Sequence, residues 1–565
     1  MNKNEANIWL FLRKMRVPLL VLNIFHAIPV TILSLVPAMD ADGNEVSLSI
    51  FDAMYIVAYT ITTTGFGEVP YEFTQLQRFV IFLTIYGAVP AWIFSLGYMI
   101  SLFQDKAFIY AIKLNNFTRQ VKKLKQDFII ICGYNNTSRL LIERLLEDRI
   151  YRIVVVDKNA QKIEQLAMES YTPTIPAIVA DASQTDVLKS AGVLLPNCKF
   201  VVTIFDDDQL NLKTAVRAQI LNSEIKIVAT SLTRQGEENL INIGVDHVID
   251  PFEIIASKIS LSYRSPHLFN LLNWINGGNL NISKNDILPK GKHIICSGGR
   301  FGLALKRVLD EERIENELID INKTTAQKQI SDKELLIKAG IKESECIVAG
   351  TNDDAINLSI ISTARKINPD IYTIVRENDL EERSMFSHLR VHKVFILDRI
   401  SALSAYNFID RPLAFRYISA LKQKSNAEIE RHLLDLIKNT NKKPELVHIH
   451  IDPCNSFALC ELLKNGEKVT LKDLIIDPLS NGKNIEVVIL AIMKHSGEFI
   501  LYPALETELS LGDTLLSAGT LSSLDQLDMI INNHNELYFA LYKKEISHTL
   551  FTKLRSLRKP SKQSS

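Results

Sequence analysis

Two stretches of this chain, residues 17–39 and 79–103, contain no Asp, Glu, Lys or Arg. Each is long enough to cross a hydrocarbon layer of roughly 30 Å as an α-helix, and nothing else in the sequence restricts the fold as much. A signal peptide fits the first stretch poorly, because the apolar run is too long and no small-residue cleavage site is obvious. Basic residues sit outside the pair: Arg13, Lys14 and Arg16 before it, and Lys106, Lys113, Arg119, Lys122, Lys123 and Lys125 after it. Residues 38–77 hold no Lys or Arg but do hold Asp40, Asp42, Glu45, Asp52, Glu68 and Glu72. Basic flanks stay on the cytoplasmic side of a bilayer. The expected topology is two spans in the cell (inner) membrane, with both ends cytoplasmic and the acidic segment outside.

That outer segment is more than a connection. Residues 50–61 (IFDAMYIVAYTI) are apolar and would make about three helical turns, too short to span, so they read as a re-entrant helix. Thr62-Thr63-Thr64-Gly65-Phe66-Gly67-Glu68 follows directly. A dehydrated cation such as potassium needs oxygens in place of its water, and stacked rings of backbone carbonyls supply them. Carbonyls can all turn inward only where the backbone visits conformations open to glycine, so glycines must alternate with larger residues. Gly65-Phe66-Gly67 has that form. Thr63 offers a hydroxyl for the innermost ring, Phe66 can pack outward, and Glu68 adds negative charge at the outer mouth.

Thr60 through Glu68 resembles the potassium-channel signature T-x-T-T-V-G-Y-G-D, with Thr64, Phe66 and Glu68 in place of valine, tyrosine and aspartate. The resemblance implies a selectivity filter at Thr63, Thr64, Gly65, Phe66 and Gly67 that holds potassium ions, with Glu68 at the pore mouth. It also implies a gating hinge at Gly87, since glycine bends a helix cheaply. Close helix packing is the plainer role for a lone glycine in a membrane helix, and Pro90 and Gly97 are alternative bends.

From residue 127 the pattern changes to short β-branched runs alternating with helix-like stretches, the mark of βαβ units. The pattern then repeats. FIIICG at 128–133 returns as HIICSGGRFG at 293–302, and IVVVD at 153–157 as LID at 318–320. DVLKSAGV at 186–193 returns as ELLIKAGI at 334–341, and VID at 248–250 as FILD at 395–398. A duplication this long points to two copies of one domain. Each copy carries a dinucleotide fingerprint: a tight turn after the first strand brings backbone N–H groups to a phosphate, and an acid ending the second strand accepts from a ribose hydroxyl. In the first copy only Gly133 remains of the glycines, with Asn135 and Ser138 in the other places and Asp157 as the acid. The second keeps Gly299 and Gly302, with Ser297 in the first place, Arg300 at the same turn and Asp320 as the acid. An adenine nucleotide is therefore expected to prefer the second copy.

Residues 127–424 resemble tandem RCK domains (KTN or TrkA-N type), which regulate potassium channels and transporters. The resemblance implies NAD or an adenine nucleotide as regulatory ligand, leaves Ca2+ open, and places helices 251–263 and 399–408 where family members dimerise. Residues 444–533 look like the small C-terminal lobe of that family. Asn276-Gly277-Gly278-Asn279 reads as a hinge between the copies, and the basic, Ser-rich end at 557–565 reads as disordered.

The 64 basic and 64 acidic residues balance, so no nucleic-acid partner is expected. The six cysteines form no C-x-x-C pair and read as buried thiols. His448, His450 and Asp452 read as a polar strand face before a metal site. Asp206, Asp207 and Asp208 read as helix caps before calcium ligands. No nucleophile elbow or P-loop occurs, and no enzymatic activity is expected.

The expected fold class is multidomain: an all-α two-span membrane pore domain, two tandem α/β Rossmann-like RCK domains and a small α+β C-terminal lobe. The expected divisions are 1–16, the pore domain 17–103, a linker 104–126, RCK domains 127–289 and 290–424, the lobe 425–540 and a tail 541–565. A potassium-selective channel gated by ligand binding to a cytoplasmic ring is implied. One filter segment cannot surround an ion, so a homotetramer in the lipid bilayer is expected, with two RCK domains per chain giving a ring of eight. A non-selective cation channel and a membrane-anchored NAD-dependent enzyme are the alternatives. An antiporter would need many more spans.

Overall fold

The computed structural model describes residues 3–40, 44–67, 70–148, 150–277, 288–319, 333–378, 386, 388–440, 444–477 and 484–542. Glu68, Asp320, Gly278, Asn279 and the tail lie outside these residues. The chain divides into two compact units, Met1–Lys125 with Pro176–Ile178 and Ser190–Gly192, and Gln126–Ile175, Val179–Lys189 and Val193–Ser565.

The first unit holds helices α1 (Lys3–Leu35), α2 (Ile50–Ile61), α3 (Gln75–Gln104) and α4 (Lys106–Lys122). Arg13–Leu35 and Gln75–Gln104 are long and apolar enough to cross a membrane. Apolar side chains such as Ile24, Ile28, Phe82 and Ile93 are exposed along both. The first span stops at Leu35, short of the expected residue 39. Pro37 disfavours helix at the residue before it and lacks an N–H, so β1 (Pro37–Met39) leaves the helix axis and pairs antiparallel with β2 (Glu45–Ser47). The short helix forms where expected. The Ser49 hydroxyl accepts from the Asp52 N–H at its start, satisfying one orphan donor. Its face of Ala53, Ile56, Val57 and Ile61 packs with Val30 and Leu33 of α1 and Ala88 of α3. A Thr74–Gln77 capping box opens α3, and the fully buried Gln77 amide donates to the Val36 carbonyl at 3.2 Å. Residues 106–122, expected only as a linker, are helical because Asp105 caps the N–H groups of Ala107 and Phe108.

The second unit contains both repeats. The first carries β3 (Phe128–Cys132), β4 (Arg152–Asp157), β5 (Ala177–Val179), β6 (Cys198–Thr203), β7 (Lys226–Thr230) and β8 (His247–Ile249). The order β4-β3-β6-β7-β8 is parallel throughout. The second carries β9 (His293–Cys296), β10 (Asn316–Ile319), β11 (Cys346–Ala349), β12 (Tyr372–Glu377) and β13 (Lys393–Ile396). These are parallel in the matching order β10-β9-β11-β12-β13. Both sheets read as unbroken apolar runs because both faces are covered. In such sheets the ligand crevice opens at the carboxyl end of the strand where the order reverses, here β3 and β9.

The helix trailing each repeat packs on the other repeat. Phe252, Ile255, Ala256 and Ile259 of Pro251–Arg264 join Phe301, Ala304, Leu305 and Val308 of Arg300–Glu311 in one core. Helix Leu397–Asp410 returns to Asn136–Asp148, where the Arg144 guanidinium lies 5.4 Å from the Tyr406 ring and the Thr137 hydroxyl donates to Asp398 at 2.6 Å. The helices expected to dimerise thus pair the two copies within one chain. The C-terminal lobe is an antiparallel sheet of β14 (Glu445–His450), β15 (Val487–Met493), β16 (Phe499–Leu501) and β17 (Thr514–Gly519), ordered β14-β17-β15-β16. Leu490, Ala491, Leu516 and Ala518 on one face pack with helices Pro266–Ile275, Pro412–Leu421 and Asn426–Thr440.

Candidate functional site

The segment after α2 alternates in backbone hand. Thr63, Gly65 and Gly67 have φ of 58°, 64° and 72°, and Thr64 and Phe66 between them are not in the positive region. Glycine adopts such φ at no steric penalty, whereas an L side chain there is strained. Alternating hand turns successive carbonyls to one side, as a cation cage requires. The end of α2 anchors the segment: the N–H groups of Thr64 and Gly65 both donate to the Tyr59 carbonyl, at 2.9 and 3.3 Å. Phe66 stacks on Tyr55, with ring centroids 6.4 Å apart and planes 5° apart, and meets Tyr59 edge-on at 6.5 Å. Its ring thus packs on α2. Gly87 lies on α3 with Phe25 of α1 against it, whereas the space around Gly97 is open.

In the first repeat the turn after β3 uses its own donors. Gly133 has φ 100°, and a Cβ there would approach the Ile204 carbonyl to 2.7 Å, so only glycine fits. The Tyr134 N–H donates to Asp157 Oδ2 and the Asn159 N–H to Asp157 Oδ1, each at 2.7 Å. Asn135 and Ser138 exchange hydrogen bonds, Asn135 N–H to Ser138 Oγ and Ser138 N–H to Asn135 Oδ1. The Asn135 amide also reaches the Ile204 carbonyl and Asp206. The polar groups expected to meet a nucleotide here are occupied by one another, and Asp157 is buried.

The second repeat differs. Gly299, φ 83°, is the N-cap of helix Arg300–Glu311, and no atom lies within 4 Å of where its Cβ would be. Ser297 is buried and donates to the Gly350 carbonyl at 2.7 Å. Gly302 gives close helix–strand packing, since a Cβ would come within 2.9 Å of Ser297 and 3.0 Å of Leu318. Arg300 lines the cavity at this turn, and its Nη1 is buried with no hydrogen-bond partner among the described residues. Its guanidinium is paired with Glu237 and Asp250 of the first repeat. Burial pushes the Asp250 carboxyl up to about 6, against the pull of Arg300.

The turns of both repeats open on one cavity of about 490 Å³, lined by Asn135 and Thr137 from the first and by Gly298, Gly299, Asn352 and Arg376 from the second. That volume suits a small ligand. Sequence reasoning missed Arg376. It sits near the end of a strand, and the only signal was a charge in an otherwise apolar run.

The other expectations resolve locally. Asp207 caps helix Asp208–Leu221, and Asp208 accepts from the Leu232 and Thr233 N–H groups. His450 pairs with Thr514, and Asp452 accepts from Cys454 and Asn455. Among the described residues no group of three or more His, Cys, Asp or Glu is arranged to hold a metal. Cys132, Cys198, Cys296, Cys346 and Cys460 are buried, and Cys454 is exposed.

Residues 19–105 match the ion-channel family model, and residues 129–251 and 293–397 each match the TrkA-N domain model. The chain is 27% identical over 222 residues to potassium channel protein 1 of Methanocaldococcus jannaschii, covering 39% of this chain and 65% of the relative. It is 23% identical over 232 residues to the calcium-gated potassium channel TvoK of Thermoplasma volcanium, covering 39% and 62%. The chain thus spans less than two thirds of the length of these relatives. A solved structure described as the GsuK channel bound to NAD aligns over 93% of this chain and 99% of its own, at 16% identity and a TM-score of 0.44, too distant to bear on the assignment. Fold and site together define a two-span pore segment joined to tandem TrkA-N domains. The chain thus carries an ion-channel segment followed by two TrkA-N domains.

Proposed function

We propose that this chain is a subunit of a potassium-selective channel that works as a homotetramer in the cell membrane, with a ring of eight RCK domains gating its pore. The observation that carries the reading is the alternation of left-handed backbone at Thr63, Gly65 and Gly67, held by Tyr59 directly after a capped helix too short to span. Four such segments around an axis would present the carbonyl rings that replace an ion's water. The chain acts as a regulated pore and not as an enzyme, and the TrkA-N domains serve as its sensor. A nucleotide gates the pore only if it prefers one ring state over the other.

The regulatory ligand is NAD or an adenine nucleotide at the second repeat. Support comes from the open Gly299 turn, set against the self-satisfied turn of the first repeat. Arg300 lines the same cavity and can add its unpaired Nη1 while Nη2 stays with Glu237 and Asp250. Reconstituted into liposomes, the protein should pass K+ well above Na+, and Gly67→Ala should abolish flux while the tetramer still assembles. Selective flux through Gly67→Ala would end this reading, and equal passage of Na+ by the wild type would favour the non-selective alternative. Nucleotide binding measured by calorimetry should fall in Gly299→Asp and persist in Asp157→Ala.

A further inference from the structure

The duplication supplies an internal comparison. Strand register pairs Thr203 of β6 with Ala229 of β7, and Ala349 of β11 with Val375 of β12. Thr230 of the first repeat is therefore the counterpart of Arg376 in the second. The two sites are built alike around this position: the Asn211 amide donates to the Thr230 carbonyl, and the Asn357 amide to the Arg376 carbonyl, each at 3.0 Å. At this position one repeat has a short hydroxyl and the other a guanidinium.

That guanidinium is in an unusual place. Arg376 is only 9% exposed yet lines the shared cavity. It lies 5.3 Å from the ring of Phe252, from the first repeat's trailing helix, and 5.9 Å from that of Phe301, two residues beyond Gly299. Nη1 donates to Asn352 Oδ1 at 2.8 Å. Nε is buried and has no hydrogen-bond partner among the described residues. Burial pushes the side chain down to about 10, with Asp354 opposing. A buried cation with an unused donor is costly unless a charge arrives to meet it.

We infer that Arg376 reads the terminal phosphate of a nucleoside di- or triphosphate seated at the Gly299 turn. This rests on the reading that the second repeat holds the nucleotide. In this sheet β10 flanks β9 on one side, and β11 then β12 on the other. A nucleoside over β10 leaves its phosphate chain passing the Gly299 turn toward β12, two strand spacings or about 10 Å from β9. A guanidinium there can form the forked, charge-assisted bonds that phosphate favours. A dinucleotide would bring a second ring to the same place, where the Arg376 guanidinium already sits against Phe252 and Phe301. The ligand class is thus ADP or ATP in preference to AMP or NAD.

Calorimetry on the full-length protein with AMP, ADP, ATP and NAD tests this. Wild type should bind ADP roughly tenfold or more tightly than AMP, the scale of a charged hydrogen bond, and NAD no more tightly than AMP. Arg376→Gln should erase the ADP preference and leave AMP binding within about twofold, whereas Arg376→Lys should retain part of it. Equal wild-type affinities for ADP and AMP, or an ADP preference that survives Arg376→Gln, would overturn the inference. The wild-type ratio and Arg376→Lys decide the matter if thermal melting shows Arg376→Gln to be unfolded. Gly299→Asp separates the two levels. If it leaves every nucleotide bound, the second-repeat site itself is refuted. If it abolishes binding while Arg376→Gln keeps the ADP preference, only the role of Arg376 falls.

Discussion

The Cα of Gly87 lies against the ring of Phe25, and a Cβ at that position would stand 2.8 Å from Phe25 Cε1. Helices α1 and α3 approach this closely because the residue is glycine. Bending and packing are therefore entangled at Gly87, and Gly87→Ala alone does not separate them. Overpacking of this kind costs about 1–3 kcal/mol. If Gly87 is only a packing glycine, adding Phe25→Ala to Gly87→Ala should restore wild-type open probability in single-channel recordings. If it is the hinge, open probability should stay low in the double variant. Gly97→Ala meets no neighbour within its own chain, so it serves as the comparison for Gly87→Ala in the same recordings.

Lys14 and Asp105 tie the start of the first span to the cap of α4, with Nζ and Oδ2 2.6 Å apart. The Lys14 ammonium beside Asp105 and the N–H groups of Phe108 and Ala107 hold its carboxyl below the usual range. Asp105→Asn keeps a capping acceptor and removes the charge; Lys14→Met removes the partner. Both should shift open probability in the same direction and by similar amounts, and the double variant should shift it no further, since partners in one interaction are non-additive. Additive shifts in the recordings would mean that the pair does not act as a unit.

His247 bridges the repeats. Its Nε2 lies 2.9 Å from Ser404 Oγ and its ring stacks on Phe408. Burial pushes the imidazole down to about 4. As pH falls below 6.5 the unfolded chain takes up a proton before the folded one does. Stability should therefore drop between pH 6.5 and 4, by at most about 3 kcal/mol from this group. Urea unfolding at pH 7 and pH 4.5 should show a smaller difference in His247→Phe than in wild type.

Arg300 is the counter-charge for Asp250 and Glu237. Arg300→Gln leaves Asp250 buried without a cation, which typically destabilises by about 3–5 kcal/mol. The Asp250 carboxyl, already pushed up to about 6, should rise further. A carboxyl raised in the folded state favours folding while protonated, so this variant should lose stability as pH rises through that value. Adding Asp250→Asn should recover part of the loss, measurable as melting temperature at pH 5 and pH 8.

Much of this architecture was legible in residue order. The apolar run 50–61 forecast the short helix, and the Gly-Phe-Gly alternation forecast the left-handed steps, because both depend on residues adjacent in the chain. The duplicated strands were equally plain. The helix at 106–122 was missed, since its cap is a single aspartate beside a charged run. The pairing of Arg300 with carboxylates from residues 237 and 250 was not legible, because those residues lie about 50 to 60 positions away in the chain. The trailing helices were expected at a dimerisation position, and they pair the two repeats within one chain.

The sequence by itself determined the two long apolar helices, the short helix between them, the left-handed steps at Gly65 and Gly67 and the tandem repeats, because each depends on periodicity or glycine placement along the chain. Only the tertiary structure decided that Gly87 touches Phe25, that the turns of both repeats open on one cavity, and that Arg376 stands in it where the first repeat has Thr230. Those relationships join residues far apart in sequence, and burial and distance between them exist only once the sheets and their trailing helices have packed.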